Sequence, residues 1–118
     1  MTSLLEVGTD LVGDTAVVHA VGEVDLSNAP QLLTELLNAC GEVRESGVLA
    51  VDLTGVDFFG SSGVNALLRA NQRCQDDGIP LRVVTTKGAV LRTLQICGVD
   101  SILDLRDSLA NATRAQVA

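Results

Sequence analysis

Few side chains in this chain could do chemistry, and their spacing narrows what that chemistry is. Two hydroxyls stand between two glycines in Gly60-Ser61-Ser62-Gly63, inside the stretch VDFFGSSGVNALL from Val56 to Leu68. That tetrad has two readings. As a helix start, a serine satisfies orphan N–H groups and the glycines give the turn its freedom. As a working site, Ser61 is a phosphoacceptor. A helix N-terminus favours an anion through its free N–H groups and its dipole, so the fold tolerates a phosphate there. The added charge of about −1.5 to −2 changes which partners can dock.

The remaining reactive groups are sparse. Cys40, Cys74 and Cys97 are odd in number and widely spaced, which suggests neither a disulfide framework nor a zinc site. Cys74 and Cys97 fall near the ends of two consecutive predicted helices and form a candidate thiol–disulfide pair. The competing reading makes all three cysteines small core residues. His19 is the one histidine, sits in an apolar strand and has no evident partner. A Ser-His-Asp arrangement is therefore not assembled, and no metal site is indicated. A Gly-x-x-x-x-Gly-Lys-Ser/Thr motif is absent, and nothing polar converges on the apolar run Val56-Asp57-Phe58-Phe59. No catalytic residue and no cofactor are expected.

These groups need a scaffold, and the apolar periodicity supplies one. Leu4–Val7 and Thr15–Gly22 read as strands joined by a turn at Val12–Asp14, a leading hairpin. Ser27 or Asn28 can cap the next helix, with Pro30 in its first turn and Gln31 three residues after Asn28. Leu32, Leu33, Leu36, Leu37, Cys40 and Val43 then recur at helical spacing until Ser46-Gly47. Val48–Leu53 is almost continuously apolar, which is how a central strand covered by helices reads. Val64, Leu67, Leu68, Asn71 and Cys74 mark a second helix ending near Gly78 and Pro80. Leu81–Thr86 is a strand, Val90 to Cys97 a helix closed by Gly98, and Ser101–Leu105 a last strand. Asp107 or Ser108 caps a terminal helix.

The order is β-β-α-β-α-β-α-β-α. It predicts an α/β fold over residues 1–118 as a single domain: a mixed sheet with helices packed against it. In such sheets the loops leaving the carboxyl ends of the strands form the functional edge. Asp25-Leu26-Ser27-Asn28, Gly60-Ser61-Ser62-Gly63 and Thr85-Thr86-Lys87 are expected to gather there.

Composition limits the partners. The chain has 118 residues and 47% hydrophobic side chains, enough for one core, with Phe58 and Phe59 its only aromatics. A net charge of −7 argues against a nucleic-acid partner, which Lys and Arg would have to meet. No apolar run is long enough to span a bilayer, and MTSLLEVG lacks the pattern of an export signal, so a cytoplasmic protein is expected. A receiver domain of similar length would need an acidic pair after its first strand, which EVGTD and VGEVD do not supply.

GEVDLSNAP (Gly22 to Pro30) followed by VDLTGVDFFGSSGVNALL (Val51 to Leu68) resembles the STAS-domain anti-sigma factor antagonists. The usual pattern there is a Gly-Glu-Leu-Asp-like segment, then a strand running into Asp-x-Ser/Thr-x-Val-x-Phe-x-Asp-Ser-x-Gly. The resemblance covers essentially the whole chain. It implies binding to a protein that is both a serine kinase and an anti-sigma factor, freeing the sigma factor. It also implies phosphorylation of Ser61 to weaken the complex and a phosphatase to reset it. Asp52 and Thr54 match the earlier motif positions and Gly63 the motif glycine. Asp25, Ser27 and Asn28 would join Gly60, Ser61, Ser62 and Gly63 on the docking face. One position departs from the pattern: Gly60 stands where the family carries Asp beside the phosphorylated serine. Two other roles stay open: control through a Cys74–Cys97 disulfide, or a scaffold module in a larger sensory complex.

Overall fold

The computed structural model describes residues 4–86 and 88–114. Their element order is the one the periodicity predicts: β1 (Leu5–Val12), β2 (Thr15–Val24), α1 (Ala29–Cys40), β3 (Leu49–Phe59), α2 (Ser61–Asp76), β4 (Leu81–Val84), α3 (Ala89–Ile96), β5 (Asp104–Arg106) and α4 (Leu109–Thr113). The five strands lie in chain order across one sheet. β1 is antiparallel to β2, and every later neighbour is parallel.

Strands added one after another on the same side, with crossovers of one hand, must carry their connecting helices on one face. That is the arrangement seen. Leu32 and Leu36 of α1, Val64 and Leu67 of α2, and Val90 and Leu94 of α3 share one core with Val18, Leu49, Val51, Leu53 and Val83 of the sheet. The last helix is free of that constraint and covers the other face. Leu109 and Ala112 of α4 pack on Val17, Ala50 and Val84. Arg82, only 4% exposed, sits beneath it. Its Nη1 donates to the carbonyls of Ala112 (3.2 Å) and Arg114 (2.7 Å), while an Asp104 carboxylate oxygen lies 3.8 Å from Nε. Coverage from both sides is why β3 begins as an unbroken apolar run.

Element lengths differ from expectation where long-range pairing decides them. β3 runs to Phe59 rather than stopping at Leu53. Its ladder to β2 slips twice: His19 and Val21 face Asp52 and Gly55, then Gly22 and Glu23 face Val56 and Phe58. Each slip adds a residue to β3, and such bulges destroy the alternation that marks a strand in sequence. β1 is also longer, because it stays paired to β2 until Val12 meets Thr15. α1 ends at Cys40, short of Ser46-Gly47, since the backbone N–H of Arg44 donates to the Asp14 carbonyl at 2.9 Å and draws the segment toward the hairpin tip. β4 stops at Val84 and β5 starts at Asp104, after Ile102 and Leu103 have both donated to the Val99 carbonyl. Ser108 is the cap of α4, and its Oγ accepts from the Asn111 N–H at 3.2 Å.

Candidate functional site: the α1–α2 edge

Ser61 is the first residue of α2, and the cap position belongs to Gly60, with φ −84° and ψ 176°. No side-chain bond caps this helix. The hydroxyl of Ser61 is therefore not serving as the N-cap that one reading of the tetrad assigned to serine, and the residue is exposed. Ser62 turns toward α1 and is half-buried. Gly63 is buried against Phe59: a Cβ there would lie 2.8 Å from two ring carbons and 3.0 Å from Val24 Cγ1. The missing side chain lets the first turn of α2 rest directly on the Phe59 ring. The 16-residue helix behind it holds Ser61 on a rigid base.

The neighbouring loop is organised by Asn28. Asn28 is the N-cap residue of α1, as expected, but its side chain makes no cap bond. Its Oδ1 accepts from the Asp25 N–H and its Nδ2 donates to the Glu23 carbonyl, both at 2.9 Å. Buried at 6% exposure, it clamps the exit of β2 instead of the start of α1. Asp25 Oδ1 accepts from Ser27 twice, from Oγ at 2.6 Å and from N at 2.9 Å. The Ser27 hydroxyl, helped by the backbone N–H groups of Ser27 and Asn28, holds the Asp25 carboxyl below its ordinary range. At the head of the segment, Gly22 has φ 115°, and a Cβ would lie 1.8 Å from the Leu4 carbonyl oxygen. Only glycine lets the start of β1 cross there.

The two loops meet. The Gly60 N–H donates to the Val24 carbonyl at 3.0 Å. Between the first halves of α1 and α2 lies an open groove of about 190 Å³, lined by Ala29, Leu33 and Ala66 with Ser62, Asn65 and Arg69 on its rim. Leu26 also lines it and is 83% exposed; Phe58, beside Gly60, is 51% exposed. Leu26 shares the groove with Ser62, and Phe58 lies against Gly60; the sequence reading placed Leu26 at this edge within the Asp25–Asn28 segment but assigned neither side chain a docking role. Their signal was a large hydrophobe placed inside a turn-forming segment.

Other expected residues lie elsewhere. Thr85 and Thr86 line a small recess with Thr54 and Val56, short of the end of β3. β4 ends opposite Asp52, while β3 continues seven residues to Phe59, about 20 Å at strand rise. The third loop is thus set back from the edge that carries Ser61; Lys87 lies outside the described residues. Asp52 and Thr54 fasten the first bulge of β3, with Asp52 Oδ1 accepting from Thr54 N (3.0 Å) and Oγ1 (2.7 Å). His19, expected to be buried and unpartnered, is half-exposed between two carboxylates: Nε2 is 3.1 Å from Asp10 Oδ2 and Nδ1 is 3.5 Å from Asp52 Oδ2. The paired thiol of Cys74 is Cys40, not Cys97. Cys40 and Cys74 are buried in contact, whereas Cys97 is exposed at the end of α3, which also corrects the reading of all three as core residues.

A family model described as the STAS domain matches residues 7–112. The chain belongs to the STAS domain family. This STAS domain is 36% identical over 113 residues to Rv2638, a candidate anti-anti-sigma factor of Mycobacterium tuberculosis, covering 93% of this chain and 74% of the relative. It is 31% identical over 103 residues to RsfA, an anti-sigma-F factor antagonist of the same species, with 86% of this chain and 80% of RsfA covered. Among solved structures, an anti-sigma factor antagonist from Mycobacterium paratuberculosis superposes with a TM-score of 0.80 at 25% identity, over 92% of this chain and 90% of that one. The mixed five-stranded sheet with its four helices is the STAS architecture that the motif order implied. No helix among the described residues is long and apolar enough to cross a membrane.

Proposed function

We propose that this STAS domain is an anti-sigma factor antagonist. It docks a serine-kinase-type anti-sigma factor on the α1–α2 edge and thereby releases a sigma factor; phosphorylation of Ser61 ends the interaction. The domain is the substrate of that kinase and performs no catalysis itself. A phosphatase that removes the phosphate returns it to the binding form. All of this takes place in the cytoplasm.

The observation that carries the reading is the exposed Ser61 at the first position of α2, set among Leu26, Phe58 and the Asp25–Asn28 loop. Apolar side chains supply contact area that a partner can desolvate. A phosphate placed among them adds charge at the centre of that contact, where desolvation is costly. The same phosphate meets the N-terminus of a helix with no acidic residue in its first turn, so the fold itself accommodates it.

The test pairs the domain with the serine-kinase-type anti-sigma factors of its own genome and measures affinity by calorimetry. The native chain and Ser61→Ala bind one of them, and Ser61→Asp binds it at least ~10-fold more weakly, a difference of about 1.4 kcal/mol. Incubation with ATP adds one phosphate to the native chain and none to Ser61→Ala. Equal affinity for Ser61→Asp removes Ser61 as the switch.

A further inference from the structure

Cys40 is the last residue of α1, and Cys74 lies two residues before the end of α2. Their sulfurs are 3.1 Å apart, and the Cys74 thiol donates to Cys40. Both residues are buried, at 1% and 0% exposure. Cys40 Sγ in turn lies 4.0 Å from Asp77 Oδ2, a carboxylate held at 3.0 Å by Arg73 Nε and itself open to solvent. The pair therefore has a polar route from the core to the surface. Closing the remaining gap to a bond of about 2.05 Å needs roughly 1 Å of travel.

We propose that Cys40 and Cys74 are a covalent modification site: on exposure to hydrogen peroxide they form an intramolecular disulfide that staples α1 to α2. Cys40 reacts first, because its sulfur is the one beside the solvent-open Asp77 carboxylate, while Cys74 lies behind it; since both are buried, a brief local opening is needed. Burial, together with the hydrogen bond to Cys40, pushes the Cys74 thiol well above its ordinary range and keeps it protonated at rest. The Cys40 thiolate attacks one peroxide oxygen, the O–O bond breaks, and the other oxygen leaves as water with the proton of the thiol. The resulting sulfenic acid is displaced by the Cys74 sulfur, and its hydroxyl leaves as a second water. In sum two thiols lose two hydrogens and one peroxide becomes two waters. The dependence of the first step on a brief opening makes the site slow to oxidise, a record of sustained exposure.

The staple has a structural consequence for the docking edge. The groove lies between the first halves of α1 and α2, and the two cysteines join the opposite ends of the same helices. A bond there fixes the spacing of the two walls.

The decisive experiment uses Cys97→Ser, whose only thiols are Cys40 and Cys74, treated as a folded monomer with hydrogen peroxide. The expected product has lost two hydrogens, yields one linked Cys40–Cys74 peptide, and melts about 10 °C higher than the reduced chain, a rise that dithiothreitol reverses. Sulfinic acid without a crosslink overturns the proposal. So do crosslinks only between chains, or a crosslink that forms only in urea. In the native chain, where no residue is changed, a peptide linking Cys74 to Cys97 overturns it as well.

Discussion

The backbone N–H of Gly60 donates to the carbonyl of Val24 across 3.0 Å, tying the end of β3 to the end of β2. The serine at the head of α2 and the Asp25 loop are thereby held as one surface. Changes at the base of either loop should be felt at both.

Asn28→Ala tests that coupling from the β2 side. The substitution removes an acceptor from the Asp25 N–H and a donor from the Glu23 carbonyl at a buried position. Leaving those groups unpaired costs about 2 kcal/mol. Urea denaturation should show that loss, and hydrogen exchange should quicken at Asp25 to Ala29. Unchanged stability with unchanged exchange would show that the loop holds its shape without the clamp.

Gly63→Ala tests it from the α2 side. A Cβ 2.8 Å from the Phe59 ring forces either the ring or the helix to move, and Phe59 is buried at 2% exposure. Overpacking of this kind costs about 1–3 kcal/mol. The variant should melt at a lower temperature than the native chain. A melt equal to the native one means that α2 does not rest on Phe59 as closely as described.

Gly60→Asp restores the carboxylate that the family motif carries. The backbone at Gly60 suits any residue, and a Cβ would meet Phe58 at an ordinary 3.6 Å. An aspartate there caps α2 and complements its dipole, so stability should rise by about 0.3–1 kcal/mol at low salt. The gain should shrink in high salt. A loss of stability would show that the position requires glycine after all.

Acid should loosen the β5 corner. The Arg106 guanidinium bonds both oxygens of Asp104, at 2.7 and 3.0 Å, and with Arg82 holds that carboxyl below its ordinary range despite partial burial. A carboxyl with a pKa depressed by folding stabilises fully above its unfolded value, near ~3.9, and the contribution disappears as pH falls through the lower folded value. Because the side chain is 45% exposed, the amount is at most about 1 kcal/mol. In Asp104→Asn the acid limb of the stability–pH curve should flatten by that amount. A limb that keeps its slope assigns the acid sensitivity to other carboxylates.

Much of the fold was legible because it is written in local periodicity. Leu32, Leu36, Leu67 and Leu94 mark their helices, and all are fully buried. Ser61 and the Asp25 segment were legible as motif. What was hidden depends on partners distant in sequence. β3 beyond Leu53 exists because β2 lies beside it, and its bulges erase the alternation. The side chain of Asn28 serves Glu23 and Asp25 rather than its own helix, a choice that the capping preference of Asn alone does not reveal. Cys40 meets Cys74, and His19 meets Asp10 and Asp52, only after the helices and strands have docked. Leu26 and Phe58 lie in segments the sequence singles out, but their exposure, 83% and 51%, is set by the docked helices and strands and is not visible in residue type.

The sheet lays its strands down in the order in which they are synthesised. Each new strand finds its neighbour already in place, and no segment must wait for a distant one to complete its pairing. That keeps contact order low for a largely parallel sheet, and it favours growth from the hairpin outward. The elements of the α1–α2 edge, β2, α1, β3 and α2, all precede β4, α3, β5 and α4 in the chain. Every residue of the α1–α2 edge, from Asp25 to Arg69, therefore leaves the ribosome before β4, although the core beneath it closes only when Val83, Val90 and Leu94 arrive.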